Sequence, residues 1–424
     1  MTTILKEPTP ADQTARAARE QIENTVAEII TAVRERGAIA VREYSASLDN
    51  WEPDSFRVAP ERVEELVAEV PEQVIDDIRF SQARVREFAE AQRQSVSDFE
   101  IETLPGIRLG QRNIPVGSVG SYVPGGRYPM VASATMSNLT ATVAGVERVV
   151  SVTPPLHGEL PATTIAAMHL AGADEIYVLG GVQAVAALAL GTEEIGAVDM
   201  IVGPGNAYVA EAKRQLFGEI GIDLLAGPTE ILVVADDSAD PETVAADLLG
   251  QAEHGPNTPA VLVSTSAELG RDVLAEIDRQ LEGLSTAGVA EVAWREHGEV
   301  RVVETLEQAV AEADALAYEH VEIHTREPRF FLERMRNYGA LFLGENTTVA
   351  YGDKTIGTNH ILPTAGAARY TGGLWVGKFL KTVTYQECTP EASVAIGEVC
   401  ARQCRVENFE AHARSCDVRV RRFA

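Results

Sequence analysis

The chain has 424 residues, enough for about two or three domains with their own hydrophobic cores, and 45% of the residues are hydrophobic. Its formal net charge of −27 argues against binding to nucleic acids or anionic membrane surfaces, because both attract proteins through Lys and Arg. No apolar run reaches roughly 18 residues, and the first residues lack the pattern of a secretory signal. We therefore expect a cytoplasmic protein, and the acidic composition suggests adaptation to high salt, where self-repulsion is screened.

The first hundred residues are expected to be mainly helical. Residues 1–20 are polar and Ala-rich, and we interpret them as an N-terminal helical arm. Apolar residues at helical spacing then predict helices over 22–36, 60–69 and 71–94. Two hairpin-like segments follow at 101–104 and 107–114.

Two sets of alternating strands and helices make up the middle of the chain. The first set has its strands at 120–123, 148–152, 175–179, 199–202 and 231–234. The second set has its strands at 260–263, 300–303, 320–323 and 340–343. This alternation predicts an α/β fold with two open parallel sheets covered by helices, and a cleft between the two domains.

The domain boundaries follow from this pattern. We expect residues 21–118 and 237–372 to form a first α/β domain, and residues 119–236 to form a second. Residues 373–424 form a C-terminal segment with a helix over 390–404 and a short charged tail.

All four cysteines lie in this last segment. Cys400 and Cys404 have helical spacing, but no Cys-x-x-Cys pair occurs, so the pattern does not indicate a thiolate metal site. We expect small buried thiols at Cys388, Cys400, Cys404 and Cys416.

A predicted helix that begins at Asp240 and Pro241 ends at Gly255, and it carries Gln251 and His254 in its last turn. Side chains three residues apart can converge on one object, and the C-terminal end of a helix favours a bound cation. The alternative interpretation is an ordinary polar helix end.

Three glycine-containing turns, at 124–127, 180–183 and 203–206, each follow a predicted strand. None is a Gly-x-Gly-x-x-Gly motif, but each lies where α/β sheets bind ligands, and Arg127 is a candidate anion contact. The alternative is that these glycines only shape turns.

Glu319 and His320 place a carboxylate beside an imidazole, which supplies two titratable groups for proton transfer. A second combination of residues is a candidate metal site. Its members, Gln251, His254, Asp353 and His412, would give mixed nitrogen and oxygen ligands that suit Zn²⁺.

Taken together, these motifs make the sequence closely resemble the histidinol dehydrogenase family, over roughly residues 20–420. The resemblance is carried, in chain order, by Tyr-Val-Pro-Gly-Gly-Arg at 122–127, Gly-Gly-Val-Gln at 180–183, Val-Gly-Pro-Gly-Asn at 202–206, Ala-Gly-Pro-Thr-Glu at 226–230, Gln-Ala-Glu-His-Gly at 251–255, Glu-His at 319–320, Gly-Asp at 352–353, Gly-Thr-Asn-His at 357–360, and Glu407 with His412. It implies two Rossmann-like domains with small N- and C-terminal segments.

The resemblance also implies roles for individual residues. The zinc ligands would be Gln251, His254, Asp353 and His412. His412 would come from the partner subunit, so the active site is shared in a homodimer. NAD would be held by Tyr122, Gln183 and Asn206.

The substrate would be a small-molecule alcohol. Its pocket would contain Thr229, His320, His360 and Glu407 in addition to the four zinc ligands. His320 would be the general base and Glu319 would activate water. The implied reaction takes a primary alcohol, through a bound aldehyde, to the carboxylate in two NAD-dependent hydride transfers.

Some features depart from the biosynthetic histidinol dehydrogenases. Tyr318 replaces the usual Pro before Glu-His, and the loop at 125–129 is about two residues shorter. The segments 293–295 and 370–376 are more similar to the sulfopropanediol dehydrogenase branch, so L-histidinol and 2,3-dihydroxypropane-1-sulfonate both stay open as substrates.

Two other classes of function stay open. A zinc hydrolase with Glu319 as its base would leave the NAD positions without a role. An inactive zinc-binding paralog would leave the intact base, the zinc ligands and the NAD positions unexplained.

Overall fold

A computed structural model describes residues 2–9, 14–125, 128–225 and 227–424, with the side chains of residues 14–18 left aside. The strands in these ranges are β1 (Thr3–Lys6), β2 (Phe99–Leu104), β3 (Ile107–Pro115), β4 (Ser118–Tyr122), β5 (Arg148–Thr153), β6 (Glu175–Val178), β7 (Met200–Val202), β8 (Gly221–Ile222), β9 (Ile231–Ala235), β10 (Ala260–Ser264), β11 (Gly298–Val302), β12 (His320–His324), β13 (Ala340–Leu343) and β14 (Leu380–Cys388).

The α-helices connect these strands and cover the sheets. They are α1 (Thr14–Arg36), α2 (Ala38–Asp49), α3 (Pro60–Glu69), α4 (Glu72–Gln94), α5 (Val131–Ala144), α6 (Ala162–Leu170), α7 (Gly181–Leu190), α8 (Ala207–Leu216), α9 (Pro241–Ala252), α10 (Ala267–Leu281), α11 (Ala287–His297), α12 (Leu306–Leu316), α13 (Pro328–Arg334), α14 (Val349–Lys354), α15 (Pro390–Val406) and α16 (Glu410–Phe423). In the described ranges, none of them is long and apolar enough to cross a membrane.

Two sheets of mainly parallel strands organise the molecule, as the α/β prediction requires. One has the strand order β6-β5-β4-β7-β8, and the other has the order β1-β11-β10-β9-β12-β13. Both β9 and β10 are buried along their whole length, because helices cover both faces of the sheet.

The edge of the six-stranded sheet differs from the prediction. Residues 3–6 form β1, which pairs antiparallel with β11, so the expected helical arm over residues 1–20 is wrong there. Pairing with the sheet edge provides hydrogen-bond partners for the backbone N–H and C=O groups of this short segment. Composition alone favoured a helix.

The sequence pattern groups the predicted strand at 231–234 with the βα units of residues 119–236, and this grouping is wrong. In the structure β9 pairs in parallel with β10 and β12, at the centre of the six-stranded sheet. The pattern of apolar residues identifies a buried strand but does not say which sheet it joins.

The N-terminal helices also pack differently from the predicted first domain. Val26 and Ile29 of α1 share a core with α7 and α8, and Val63 of α3 packs with Ile165 of α6. Residues of 21–98 therefore cover the five-stranded sheet, not the sheet formed by residues 231–343, because an amphipathic helix does not specify its partner.

The C-terminal segment contains two unpredicted elements. Strand β14 pairs antiparallel with β3, which itself pairs with β2, and this completes the predicted hairpin as a three-stranded sheet. The expected charged tail is helix α16, which packs against α15. Cys388 is exposed and the other three cysteines are only half-buried, so the prediction of buried thiols is wrong.

Candidate active site

Two of the predicted site residues, Gln251 and His254, lie at the end of helix α9. Asp240 caps this helix by accepting a hydrogen bond from the Thr243 backbone N–H at 3.2 Å, and Pro241 is the first helical residue. The helix ends at Ala252, so His254 lies just beyond it and not in the last turn as predicted. Its backbone N–H still donates to the Gln251 carbonyl at 3.1 Å, which keeps the two residues together.

A chain of hydrogen bonds connects Gln251 to Glu319. The Gln251 Nε2 donates to Thr229 Oγ1 at 2.5 Å, and Thr229 Oγ1 donates to Glu319 Oε2 at 2.5 Å. The backbone N–H of Glu230 donates to the same Glu319 oxygen at 3.2 Å. These contacts form because β9 and β12 are parallel neighbours, with Ile231 opposite His320, so their amino-terminal ends meet.

His320 is buried and held in one orientation. Its Nδ1 lies 3.2 Å from the Glu230 carbonyl oxygen, so Nδ1 carries the proton and donates it there. The other nitrogen, Nε2, is buried without a hydrogen-bond partner and lies 3.7 Å from Asp353 Oδ1. Burial lowers the pKa of His320 to about 4, and the nearby Asp353 opposes this shift. The ring is therefore neutral near pH 7, with a free lone pair on Nε2.

Two buried carboxyl groups lie behind His320. Burial raises the pKa of Glu319 well above its ordinary value, although the hydrogen bonds from Thr229 and from the Glu230 backbone act in the opposite direction. Burial also raises the pKa of Glu230, to about 7. Glu230 is the last residue of the Ala-Gly-Pro-Thr-Glu motif at 226–230, but no local pattern indicates a role for it.

Asp353, on α14, brings three histidines together. Its carboxylate acts to raise the pKa of His254, His320 and His360, which shows that it lies close to all three, whereas burial lowers each of these pKa values. His360 Nδ1 donates to the Asp353 carbonyl oxygen at 2.8 Å, and its Nε2 lies 3.2 Å from Ser133 Oγ. His254 is the exposed member of the three, whereas His320 is buried and His360 is half-buried.

Within one chain the structure thus gathers most of the predicted catalytic, metal and substrate residues. They are Thr229, Gln251, His254, Glu319, His320, Asp353 and His360. Ser133, on α5 of the other domain, is an additional contact that the sequence did not indicate.

Glu407 and His412 are not part of this cluster in a single chain. Glu407 follows α15 and His412 lies in the first turn of α16, and both are exposed. The His412 ring lies against Phe409, with 5.4 Å between ring centroids. Among the described residues, no side-chain hydrogen bond or ion pair joins Glu407 or His412 to the other predicted ligands.

The predicted NAD residues lie at the carboxyl ends of strands in the five-stranded sheet. The Tyr122 hydroxyl accepts a hydrogen bond from the Gly181 backbone at 3.2 Å, and Tyr122 and Asn206 both line a cavity of about 370 Å³. Gly181 has φ +67, and a Cβ at this position would lie 2.6 Å from Gln183 Oε1. Arg127, in the neighbouring turn, is outside the described residues.

Gln183 and Asn206 are each held by a specific contact. The buried Gln183 Nε2 donates to Asp49 Oδ2 at 3.0 Å, and Gln183 Oε1 has no hydrogen-bond partner in the described structure. The Asn206 side chain accepts from the backbone N–H groups of Tyr208 and Val209, at 3.0 and 3.1 Å, and so caps α8. Asp49, at the end of α2, lines the same cavity and was missed because it is remote in sequence.

The fold has a close counterpart among solved structures. The structure of a histidinol dehydrogenase from Elizabethkingia anophelis matches with a TM-score of 0.91 and 30% identity, over 98% of this chain and 94% of that chain. This match confirms the predicted α/β fold class.

Sequence comparisons agree with the structural match. A family model described as "Histidinol dehydrogenase" matches residues 12–420. A "Histidinol dehydrogenase homolog" from Shouchella clausii is 61% identical over 95% of both chains, and a "Sulfopropanediol 3-dehydrogenase" from Ruegeria pomeroyi is 43% identical over 97% of this chain and 95% of its own. These matches place the chain in the class of α/β oxidoreductases. The chain belongs to the histidinol dehydrogenase family.

Proposed function

We propose that the protein is a zinc- and NAD-dependent dehydrogenase that oxidises the primary alcohol of a small molecule to a carboxylate in the cytoplasm. The observation that carries this proposal is the state of His320. Its Nδ1 is held by the Glu230 carbonyl, and its unpartnered Nε2 faces Asp353 in the cluster of predicted ligands. A neutral imidazole with one free nitrogen, fixed in a buried site, is suited to accept a proton from an alcohol.

The residues around Asp353 fit a zinc ion. The Gln251 amide nitrogen is used by Thr229, which leaves its oxygen as the available ligand atom. Together with the His254 imidazole and the Asp353 carboxylate, it gives a mixed nitrogen and oxygen donor set that is suitable for Zn²⁺. The fourth ligand in this proposal is His412 of a second subunit.

The cavity beside Tyr122 fits a dinucleotide. It lies at the carboxyl ends of parallel strands, where open α/β sheets bind ligands. Gly181 lets the backbone approach a ligand closely, and the unpartnered Gln183 Oε1 is an acceptor that a bound NAD could use. Asp49 would then position the Gln183 amide.

The bound zinc would hold and polarise the substrate oxygen, and NAD would accept hydride. Side chains of the protein accept and transfer the protons in this proposal. His320 Nε2 takes the hydroxyl proton of the alcohol, and the Asp353 carboxylate 3.7 Å away stabilises the resulting imidazolium. Glu319, whose pKa is raised by burial, is a stronger base than an exposed glutamate and assists the addition of water to the aldehyde carbonyl.

The second subunit enters the proposal because Glu407 and His412 lie apart from the cluster. The helices that carry them expose several large apolar side chains. Val406, Phe409 and Val418 are 84%, 54% and 50% exposed. Apolar side chains gathered on one helical hairpin are typical of an interaction surface, which supports a homodimer in which each chain completes the active site of the other.

The substrate is the part of the proposal that the relatives leave open, since one similar protein is named a histidinol dehydrogenase and another a sulfopropanediol dehydrogenase. The decisive test is an assay of NADH formation with L-histidinol and, separately, with 2,3-dihydroxypropane-1-sulfonate. We expect about two NADH per molecule of one of these alcohols, because oxidation to the carboxylate removes four electrons.

Two results would contradict the proposal. One is the release of a single NADH with a free aldehyde as the final product. The other is hydrolysis of an ester or amide at a rate that does not depend on NAD, which would support the zinc hydrolase instead.

A further inference from the structure

A second group of ligand-type side chains lies toward the other end of β12. Glu322 and His324 point to the same face of this strand, and Asp247 approaches them from α9. One ligand atom of each residue lies within 4.8 Å of the other two. The side chains of Glu322 and His324 are fully buried, and that of Asp247 is 11% exposed.

One oxygen of each carboxylate is already fixed by the protein. Thr348 Oγ1 donates to Asp247 Oδ1 at 2.9 Å, and the backbone N–H of Val349 donates to Glu322 Oε1 at 2.6 Å. These bonds orient the carboxylates so that their second oxygens, Oδ2 and Oε2, face the His324 ring.

The atoms that face one another have no hydrogen-bond partner. Asp247 Oδ2, Glu322 Oε2 and His324 Nε2 are buried and unpartnered in the described structure, and so is the other ring nitrogen of His324. Buried polar atoms are nearly always paired, because an unpaired one costs roughly 1–3 kcal/mol. Several in one place therefore point to a missing ligand.

The distances from His324 to the two carboxylates are longer than ordinary hydrogen bonds, whereas the Asp247 and Glu322 carboxyls lie close enough to share a proton with each other. His324 Nε2 lies 3.5 Å from Asp247 Oδ2 and 3.4 Å from Glu322 Oε2. Both separations exceed the 3.2 Å or so that limits a normal N–H···O hydrogen bond. Two donor atoms that each lie about 2.1 Å from a tetrahedral zinc ion are about 3.4 Å apart.

We propose that Asp247, Glu322 and His324 bind a divalent transition-metal ion, distinct from the zinc proposed at Gln251, His254, Asp353 and His412. Two carboxylates and one neutral imidazole form a charged donor set that suits such an ion, and the nearby Glu345 adds negative charge. Burial raises the pKa of both Asp247 and Glu322, and the nearby Glu322 adds to the shift of Asp247.

The location gives this ion a positioning role. Its ligands and their hydrogen-bond donors belong to α9, β12 and the start of α14. The same three elements carry Gln251, His320 and Asp353. A metal ion bound to all three elements would hold them in fixed relative positions, and so would position Gln251, His320 and Asp353.

The test is a count of bound zinc. Wild-type protein and variants are equilibrated with Zn²⁺, desalted, and measured by inductively coupled plasma mass spectrometry. We expect His324→Gln and Asp247→Asn each to bind one fewer zinc ion per chain than the wild type. His169→Gln, which changes an exposed histidine on α6, is the matched control and should lose none.

The same two variants are also made in a His254→Ala background, so that the count does not depend on the other zinc site. We again expect a loss of one ion. Zn²⁺ should raise the melting temperature of His254→Ala but not that of His254→Ala with Asp247→Asn, because only a native-state ligand stabilises the fold. If His324→Gln does not fold, Asp247→Asn decides the question. Equal zinc counts in the wild type and the folded variants would overturn the proposal.

Discussion

The two ends of β12 carry the same residue type in different surroundings. His320 and His324 lie on the same face of one strand and are both buried. At the amino-terminal end, the Glu230 carbonyl fixes His320 Nδ1, and Nε2 is left free beside Asp353. At the carboxyl-terminal end, both nitrogens of His324 are unpartnered and Nε2 faces two carboxylates.

This difference shows that burial alone does not define what a histidine does. Burial lowers the pKa of both residues. A single fixed nitrogen with one free lone pair is suited to move a proton, whereas a ring facing two carboxylate oxygens is suited to hold a cation. In our proposals, the first end also needs residues of a second chain, while the second is complete within one chain.

The largest expected effect on activity concerns His320, at the amino-terminal end of β12. We predict that His320→Asn lowers kcat by about 10²–10⁴-fold, the usual contribution of a general base. Zinc content and the affinity for NAD should stay close to those of the wild type, since His320 is not among the proposed ligands of either. The measurements are steady-state kinetics, metal analysis and NAD titration.

The matched control for this prediction is His169→Asn at the exposed position on α6, which should keep wild-type rates. A kcat for His320→Asn within a few-fold of the wild type would show that another group accepts the proton.

A second prediction concerns the sharing of ligands between chains. Gln251→Ala and His412→Ala homodimers should each lose nearly all activity. After the two variants are mixed and exchange subunits, about a quarter of the wild-type activity should return, because half of the dimers then contain one intact site of two. The measurement is NADH formation after unfolding and refolding the mixture, with dimers quantified by differently tagged chains.

The other end of β12 should behave differently in the same mixing experiment. A mixture of Asp247→Asn and His324→Gln chains should not regain the lost zinc, because both ligands belong to the same chain. Mixed dimers that form without rescue of activity would contradict the shared active site. Recovery of zinc from the second mixture would contradict a site within one chain.

A smaller effect, on the pH dependence of stability, is expected when Glu230 is replaced. The backbone carbonyl of this residue holds the His320 ring. Its folded-state pKa is raised to about 7 by burial, above the unfolded value, so its contribution to stability is present at low pH and is lost as the pH rises to about 7. Glu230→Gln removes this titration. Between pH 5 and 8 we predict that the variant gains about 2–3 kcal/mol of unfolding free energy relative to the wild type.

Urea unfolding of both proteins at a series of pH values measures this difference. The change with pH is the informative quantity, because the substitution also alters hydrogen bonds to Glu230 and so adds a constant offset. Parallel stability curves for the two proteins across this pH range would show that the Glu230 carboxyl is not perturbed.

Much of the local structure could be predicted because it depends on local patterns. The apolar runs predicted β10 to β13, and the cap at Asp240 with Pro241 predicted the start of α9. The resemblance to a family then named Gln251, His254, Asp353 and the Glu319-His320 pair, and the structure places all of them in one cluster.

Other features could not be predicted, because they depend on which surfaces meet. β9 was assigned to the wrong sheet, and the helices of residues 21–98 cover the five-stranded sheet instead of the six-stranded one. Asp49 lies 134 positions before its hydrogen-bond partner Gln183, a contact that no local pattern indicates.

The sequence by itself determined most of the strands and helices of the two parallel sheets, the family and the residue types of the proton-transfer pair, because each rests on periodicity or on a contiguous motif. Only the tertiary structure decided that the Glu230 carbonyl fixes the tautomer of His320 and that Asp247 meets Glu322 and His324. The physical reason is that hydrogen bonding, burial and ligand geometry depend on atoms brought together from distant parts of the chain.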